Sequence, residues 1–312
     1  MPLPLRILLP AAVLLPAALA AEPADLRFRP EAGTSYRQLL TSEDNVAMRY
    51  GNRTETSLGS TTFGLRTEIL AAAEDGSRTA RVTFERVAAS STRFRQKAAF
   101  DTGDPAMPPQ DEGARAFARL VGQSFTVTFG PDGDPAKVEG MAAVIANVTE
   151  DIADPQLREV AAASLAIQIG DAPMQEFLRR ALRVNPAHPV AEDATWSARW
   201  TQGGVAPADV ATSTTLTSHD GTRAVFAHVI ALTPGRRTEE DRKAIGVWSE
   251  RTGVLRGPVE VRAADGVIVR AELAGETRGT QFIDDGPGTL PPAEFPEATT
   301  MKIRVELLPA AP

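Results

Sequence analysis

The chain has 312 residues, no cysteine, 40 acidic against 33 basic residues and a formal net charge of −7. That composition excludes disulfide staples and thiolate metal sites, and its sign disfavours nucleic acid and anionic membrane surfaces as partners. Stability must come from burial, for which this length is ample.

Residues 1–20 have the layout of a secretory signal: Arg6 as the charged segment, Ile7 to Leu19 as the apolar core, and Ala18-Leu19-Ala20 as a small-x-small cleavage site. Pro10 and Pro16 interrupt the apolar run, which is too short for a stable bilayer span. The mature chain is therefore expected to begin at Ala21, to be periplasmic or secreted, and not to be an integral membrane protein. Residues 21–312 read as a single α+β domain: a β-rich half at 24–138, a helical segment at 139–185 and a second β-rich half at 190–308.

The first half opens on a mixed pattern from Thr34 to Arg49, read as a strand pair. From Thr61 to Ala71, Phe63, Leu65, Thr67 and Ile69 alternate with polar neighbours, the period of a strand with one buried face. Asp75-Gly76 supplies a turn, and Ala80, Val82 and Phe84 alternate on the return strand. One more strand is expected from Thr92 to Phe100. Asp101 to Gly113, rich in Pro, Gly and Asp, reads as a loop or lid, and Ala114 to Val121 as a short helix burying Phe117, Leu120 and Val121. The clearest hairpin comes next, with Phe125, Val127 and Phe129 on one face and a turn at Pro131 to Asp134.

The middle segment changes period. Met141, Val144, Ile145, Val148 and Ile152 recur at helical spacing. A second helix starts at an Asp154 cap with Pro155 in its first turn, shows Leu157, Val160, Ala161, Leu165 and Gln168, and stops at a Gly170 expected to be left-handed. A third begins at an Asp171 cap, buries Met174, Phe177, Leu178, Ala181 and Leu182, and carries Arg179, Arg180 and Arg183 in its last turn, where cations favour the dipole, before Asn185-Pro186 ends it.

Strands resume with Trp196, Ala198 and Trp200 on one face, then a hairpin turning at Asp220-Gly221. Ile245 to Arg251, Pro258 to Ala263 and Val267 to Leu273 continue the meander. Asp284 to Pro296 reads as a Pro/Gly-rich loop, and Met301, Ile303, Val305 and Leu307 alternate in a terminal strand. The Asp75-Gly76-Ser77-Arg78 and Asp220-Gly221-Thr222-Arg223 hairpins echo each other, which is what two halves of one plan, or any two Asp-Gly turns, would give.

Chemistry is thinly supplied. No Gly-x-Ser-x-Gly or Ser-x-x-Lys occurs, and His188, His219 and His228 show no metal-binding spacing. Asp132-Gly133-Asp134 lacks the continuing ligands of a calcium loop, and the glycines follow no phosphate-cradling spacing. No catalytic residue, metal or cofactor is implied. Trp196, Trp200 and Trp248 fit a core beneath the helices, or, with Met141, Ile145 and Phe177, the lining of an apolar ligand cavity.

The strings Phe-Asp-x-x-Asp-Pro at Phe100 to Pro105, Leu-Val-Gly-x-Ser-Phe-x-Val from Leu120, Pro-Asp-Gly and Val-Glu-Gly to Gly140, between β-rich halves and behind a signal, resemble a bacterial exported family of unknown function. The resemblance implies no activity and no functional residue; many of its members look lipid-anchored, and this chain lacks the cysteine that would require. The element order is also similar to the half-barrels of outer-membrane lipoprotein carriers. The expected fold is α+β, a curved antiparallel sheet in two halves packed on a central cluster of three to four helices, because alternating strands and striped helices each have one apolar face to hide. The expected function is non-enzymatic binding of a lipid or other apolar or amphipathic molecule between sheet and helices, with a dry-cored envelope scaffold docking a protein partner as the alternative.

Overall fold

The computed structural model describes residues 23–93, 96–203, 206–236, 247–283 and 293–309. The expected signal at 1–20 lies outside them, as does most of the loop expected at Asp284 to Pro296. Among the described residues, twelve strands form one antiparallel sheet. In chain order they are β1 (Ser35–Tyr50), β2 (Arg53–Ala72), β3 (Arg78–Arg93), β4 (Gln96–Asp101), β5 (Ser124–Phe129), β6 (Pro135–Glu139), β7 (Thr195–Gln202), β8 (Ala208–His219), β9 (Arg223–Pro234), β10 (Val247–Arg262), β11 (Ile268–Ile283) and β12 (Ala293–Leu308). Their spatial order is β6-β5-β3-β2-β1-β12-β11-β10-β9-β8-β7, with β4 paired to β3 beyond the end of β5. The strands before and after the helices thus join at β1 and β12, whose register runs from Arg37 opposite Leu308 to Met48 opposite Glu297.

Several strands are longer than their periodicity announces. The mixed stretch at Thr34 to Arg49 is one strand, β1, paired along its length with β2 on one side and β12 on the other. Its upper half is only half-buried on both faces, so it shows no alternation. Thr92 to Phe100 is not one strand but the end of β3 and the start of β4. Of the expected strands at Ile245 to Arg251 and Pro258 to Ala263, the first is described from Val247 on, and both belong to a single β10; Pro258 has no N–H, and the ladder to β11 is open between Arg256 and Val259 while Pro258 stays opposite Ala227 of β9. Ala293 to Pro296 belongs to β12.

Four helices separate β4 from β7. Helix α1 (Glu112–Ala118) is capped by Asp111, whose Oδ1 accepts from Ala114 N; Leu120 is buried beyond it, while Val121 is exposed, contrary to expectation. In α2 (Met141–Thr149) every apolar position of the stripe through Ile152 is buried. Helix α3 (Pro155–Ile169) is capped by Asp154. Gly170, expected left-handed, has φ −57° and ψ 174°; glycine is required there because a Cβ would stand 2.5 Å from the Ala166 carbonyl oxygen. Gly170 itself caps α4 (Asp171–Leu182), and Asp171 instead accepts from the N–H of Met141, thirty residues back, at the start of α2.

Helix α4 joins both ends of the sheet. On the β6 side Gln175 Nε2 donates to the Pro135 and Ala136 carbonyls at 2.9 and 2.6 Å, and Arg179 meets Asp134 at 2.7 Å. On the β7 side Trp200 Nε1 donates to Glu176 Oε2 at 2.7 Å and Arg180 to Gln202 at 2.8 Å. One helix can reach both terminal strands only if the sheet curls round it. Glycines at 253 and 257 of β10 and 275 and 279 of β11 accommodate that bend: a Cβ on any of them would fall within about 2.2 Å of a carbonyl on the adjacent strand. A strap ahead of β1 ties the lower end, with Phe28 N bonded to Pro131 O, Arg29 N to Asp265 O, and the Phe28 ring 5.1 Å from that of Phe129.

Candidate functional site

A cleft of about 770 Å³ opens between β2, β3 and β4 on one side and α1 and α3 on the other. Its walls are made of small side chains where a core would carry large ones: Gly59 to Thr61 of β2, Ala89 to Ser91 of β3, Ala98 and Ala99 of β4, Ala114 and Ala116 of α1, and Ala161 and Ser164 of α3. Phe100, Phe117 and Leu165 supply its bulk, the first two rings standing edge to face at 6.4 Å. Asp44 of β1, Lys97 of β4 and Asp111 at the α1 cap supply polar groups. The Asp101 to Gly113 loop contributes Gln110 and is anchored by Asp101, whose carboxyl is held below its usual range by Arg86.

Helix α3 explains why the cleft is open. At 100° per residue, Ile169 and Ala162 fall on one side, turned toward the protein, and Ala161, Ser164 and Gln168 turn to the cleft, with the buried Leu165 between the two and at the cleft's edge. Leu157 continues that cleft-facing line, and Val160 and Ile167 flank it; these three are 59%, 61% and 52% exposed. The stripe expected to bury Leu157 and Val160 is therefore wetted at its first turns. Its apolar residues occupy two opposite sides of one helix, and α2 covers only one of them.

Charge enters the hollow of the sheet at one level. Asp44, without hydrogen bond or ion pair among the described residues, has its pKa pushed up by burial, opposed by the positive charges of Arg251 and Arg180. Arg251 in turn grips Glu297, Nε to Oε1 at 2.5 Å. His228 lies apart, inside β9, with Nδ1 2.7 Å from Thr214 Oγ1 and its pKa lowered to about 4 by burial. His188 and His219 are exposed. Among the described residues no group of three His, Asp or Glu is placed to hold a metal ion, and no helix is long and apolar enough to cross a membrane.

The six residues singled out from the sequence fall elsewhere. Met141 and Ile145 are buried in the core on α2. Phe177 packs edge-on against Phe63 at 5.6 Å, and Trp196 against Phe226 at 5.2 Å with its Nε1 on the Val184 carbonyl. Trp200 lies under Arg179 and Arg183, whose guanidinium carbons are 5.7 and 5.6 Å from its ring centre. Trp248 stacks on Phe282 at 4.9 Å, on the sheet face opposite Arg251. None of the six is on the cleft wall, whose signal in the sequence is the opposite one: runs of Ala and Ser at 88–91, 98–99 and 161–164.

A model of the family of unknown function DUF6263 matches residues 75–285, and the chain belongs to that family. The matched stretch contains all the strings from Phe100 to Gly140 that carry the resemblance. No curated protein matches. Among solved structures, lipovitellin, studied for its lipid–protein interactions, is 9% identical over 90% of this chain and 26% of its own, with a TM-score of 0.46. DynF from the dynemicin pathway of Micromonospora chersina is 6% identical over 91% of this chain and 86% of its own, at 0.18. The outer membrane protein opdK of Pseudomonas aeruginosa is 7% identical over 89% of this chain and 100% of its own, at 0.15. The chain spans about a quarter of the length of lipovitellin, and likenesses at these scores carry no functional argument.

Proposed function

We propose that this member of a family without assigned activity is an exported, non-enzymatic binding protein that holds an apolar or amphipathic molecule in the cleft between β2–β4 and α1 and α3. The observation that carries the reading is the cleft itself: about 770 Å³, within the range of small-molecule sites, walled by small residues over an aromatic floor. Bulky side chains at Ala89, Ala98 or Ala161 would close it at little conformational cost, so the space is a property of the sequence and not of loose packing. Export to the periplasm is supported by the signal-like first twenty residues. The test is native mass spectrometry of the purified protein together with titration of a fluorescent apolar probe. A co-purified lipid, or saturable uptake displaced by a fatty acid, is the expected outcome; neither appearing sinks the reading.

One observation favours a second reading, an envelope scaffold. Leu157, Val160 and Ile167 form an exposed apolar strip on α3 that a protein partner could cover. Proximity labelling in the periplasm separates the two: a reproducible partner lost on Val160→Ser with probe uptake intact supports the scaffold.

A further inference from the structure

Three arginines occupy the end of α4, and one of them lacks a carboxylate. Arg179 pairs with Asp134 and Glu176, and Arg183 with Asp132. Arg180 donates from Nη2 to the neutral Gln202 Oε1, its Nε is enclosed without an acceptor, and it forms no ion pair among the described residues. Glu176 acts on it from one turn back on its own helix, and across the hollow it senses Asp44 and Arg251.

Those charges bracket one layer of the sheet. On the inner face, Asp44 lies in the row with Met301, Gly275 and Leu255, and Arg251 in the row with Gly279 and Glu297. Between the two rows runs a third, Gly253 opposite Thr277, Thr277 opposite Thr299, and Thr299 opposite Val46. Thr277 and Thr299 are each 1% exposed, and neither hydroxyl has a hydrogen-bond partner among the described residues. Elsewhere in this sheet facing hydroxyls bond each other, as Thr41 with Thr62 at 3.0 Å and Thr195 with Thr215 at 2.8 Å. A guanidinium whose Nε is enclosed without an acceptor and two buried hydroxyls without partners among the described residues are each costly. The helix that carries Arg180 packs against β12, the strand of Thr299, and together these groups describe the surroundings of a missing acceptor.

We propose that Arg180, with the hydroxyls of Thr277 and Thr299, receives the anionic head of an amphipathic ligand, carboxylate or phosphate, whose apolar body lies in the cleft. Asp44 belongs to the cleft wall and lies two residues along β1 from Val46, the partner of Thr299, so the cleft reaches the strand that borders the threonine row. Its raised pKa makes it the carboxyl that most readily gives up its charge as an anion arrives. The inference rests on the cleft reading and adds the chemical class of the head and the residue that recognises it.

Matched twelve-carbon probes test it: dodecanoate, dodecyl phosphate and the uncharged dodecanol, titrated into the whole protein by calorimetry. One or both anions should bind at least about tenfold tighter than the alcohol, and whichever does identifies the head. Arg180→Gln should bring the affinities together, with Arg180→Lys retaining part of the preference, and Thr277→Val with Thr299→Val should weaken anion binding alone. Equal affinity of the wild type for all three overturns the role of Arg180 while leaving the cleft reading standing, and does so without any variant. Binding of none of them overturns both.

Discussion

Arg251 reaches across β11 to Glu297 of β12, Nε 2.5 Å from Oε1 and Nη2 3.3 Å from Oε2, over the space left by Gly279. The Glu297 side chain keeps 1% of its surface and that of Arg251 25%. The two charges are so placed that each depends on the other, and removing one strands its partner in the hollow. Arg251→Met should cost about 3–5 kcal/mol in denaturant unfolding, whereas Arg251→Met with Glu297→Met should cost clearly less. A double variant as unstable as the single one would mean that the pair contributes through packing alone.

The close approach of β10 and β11 rests on four glycines, and they can be probed against a control. A Cβ on Gly257 would lie 1.9 Å from the Glu272 carbonyl oxygen, while one on Gly59 would meet nothing within 4 Å. Gly257→Ala should therefore destabilise by more than about 2 kcal/mol, from overpacking against immovable backbone, and Gly59→Ala by less than about 0.5 kcal/mol. Similar melting temperatures for the two would show that β10 and β11 can part without loss, contrary to the close approach.

Stability should fall on acidification through the range of His228. Burial lowers its pKa from 6.5 to about 4, so the unfolded chain takes up the proton before the folded one does. The contribution is complete above pH 6.5 and is lost as pH falls toward 4, about 3 kcal/mol in full. Asp25, held at about 2 by Arg27, acts only below the ordinary carboxylate range and so outside this window, while Asp44, with its raised pKa, works against the loss. His228→Gln should flatten the slope of unfolding free energy between pH 4 and 6.5. An unchanged slope would place the proton uptake elsewhere.

Asn185 ties the strap to the lower end of the sheet. Its Nδ2 donates to the Leu26 and Gly266 carbonyls, both at 2.9 Å, and the residue is 3% exposed. Asn185→Ala should cost about 2–3 kcal/mol, since two buried carbonyls lose a shared donor, and should speed amide exchange in residues 23–33 more than in β8 or β9. Uniform acceleration would make the residue a general core contact and not a tie.

The fold is legible in the sequence wherever one face of an element is wet. Phe125, Val127 and Phe129 alternate because β5 has a dry and a wet side, and Met141 to Ile152 keep their stripe because α2 is covered on one side only. Legibility fails for the upper half of β1, half-buried on both faces, and for α3, whose Leu157 is exposed although it lies within about 80° of the buried Leu165 at a spacing that suggests a single stripe. The cleft is illegible for a different reason. A search for lining residues looks for bulk, and selects Trp196 and Trp200, which are committed to Val184 and Glu176; space is written as the absence of bulk, in alanines that carry no signal until the topology sets them opposite one another. Arg180 reads as one more favourable charge on a helix end until the bonds of Arg179 and Arg183 are seen to leave it without an ion pair among the described residues.

Filling the cleft should abolish binding without unfolding the protein. Ala161 sits on the cleft side of α3 and is half-buried, so a large side chain there can enter the open space and need not displace core atoms. Ala161→Trp should reduce uptake of an apolar probe at least about tenfold while changing stability by less than about 1 kcal/mol. Leu157→Ser, on the same line of the helix but 59% exposed at its first turn, should leave the floor of the cleft intact and change uptake far less. If both variants bind the probe as the wild type does, the probe sits outside the cleft, and the exposed face of α3 becomes the surface that matters.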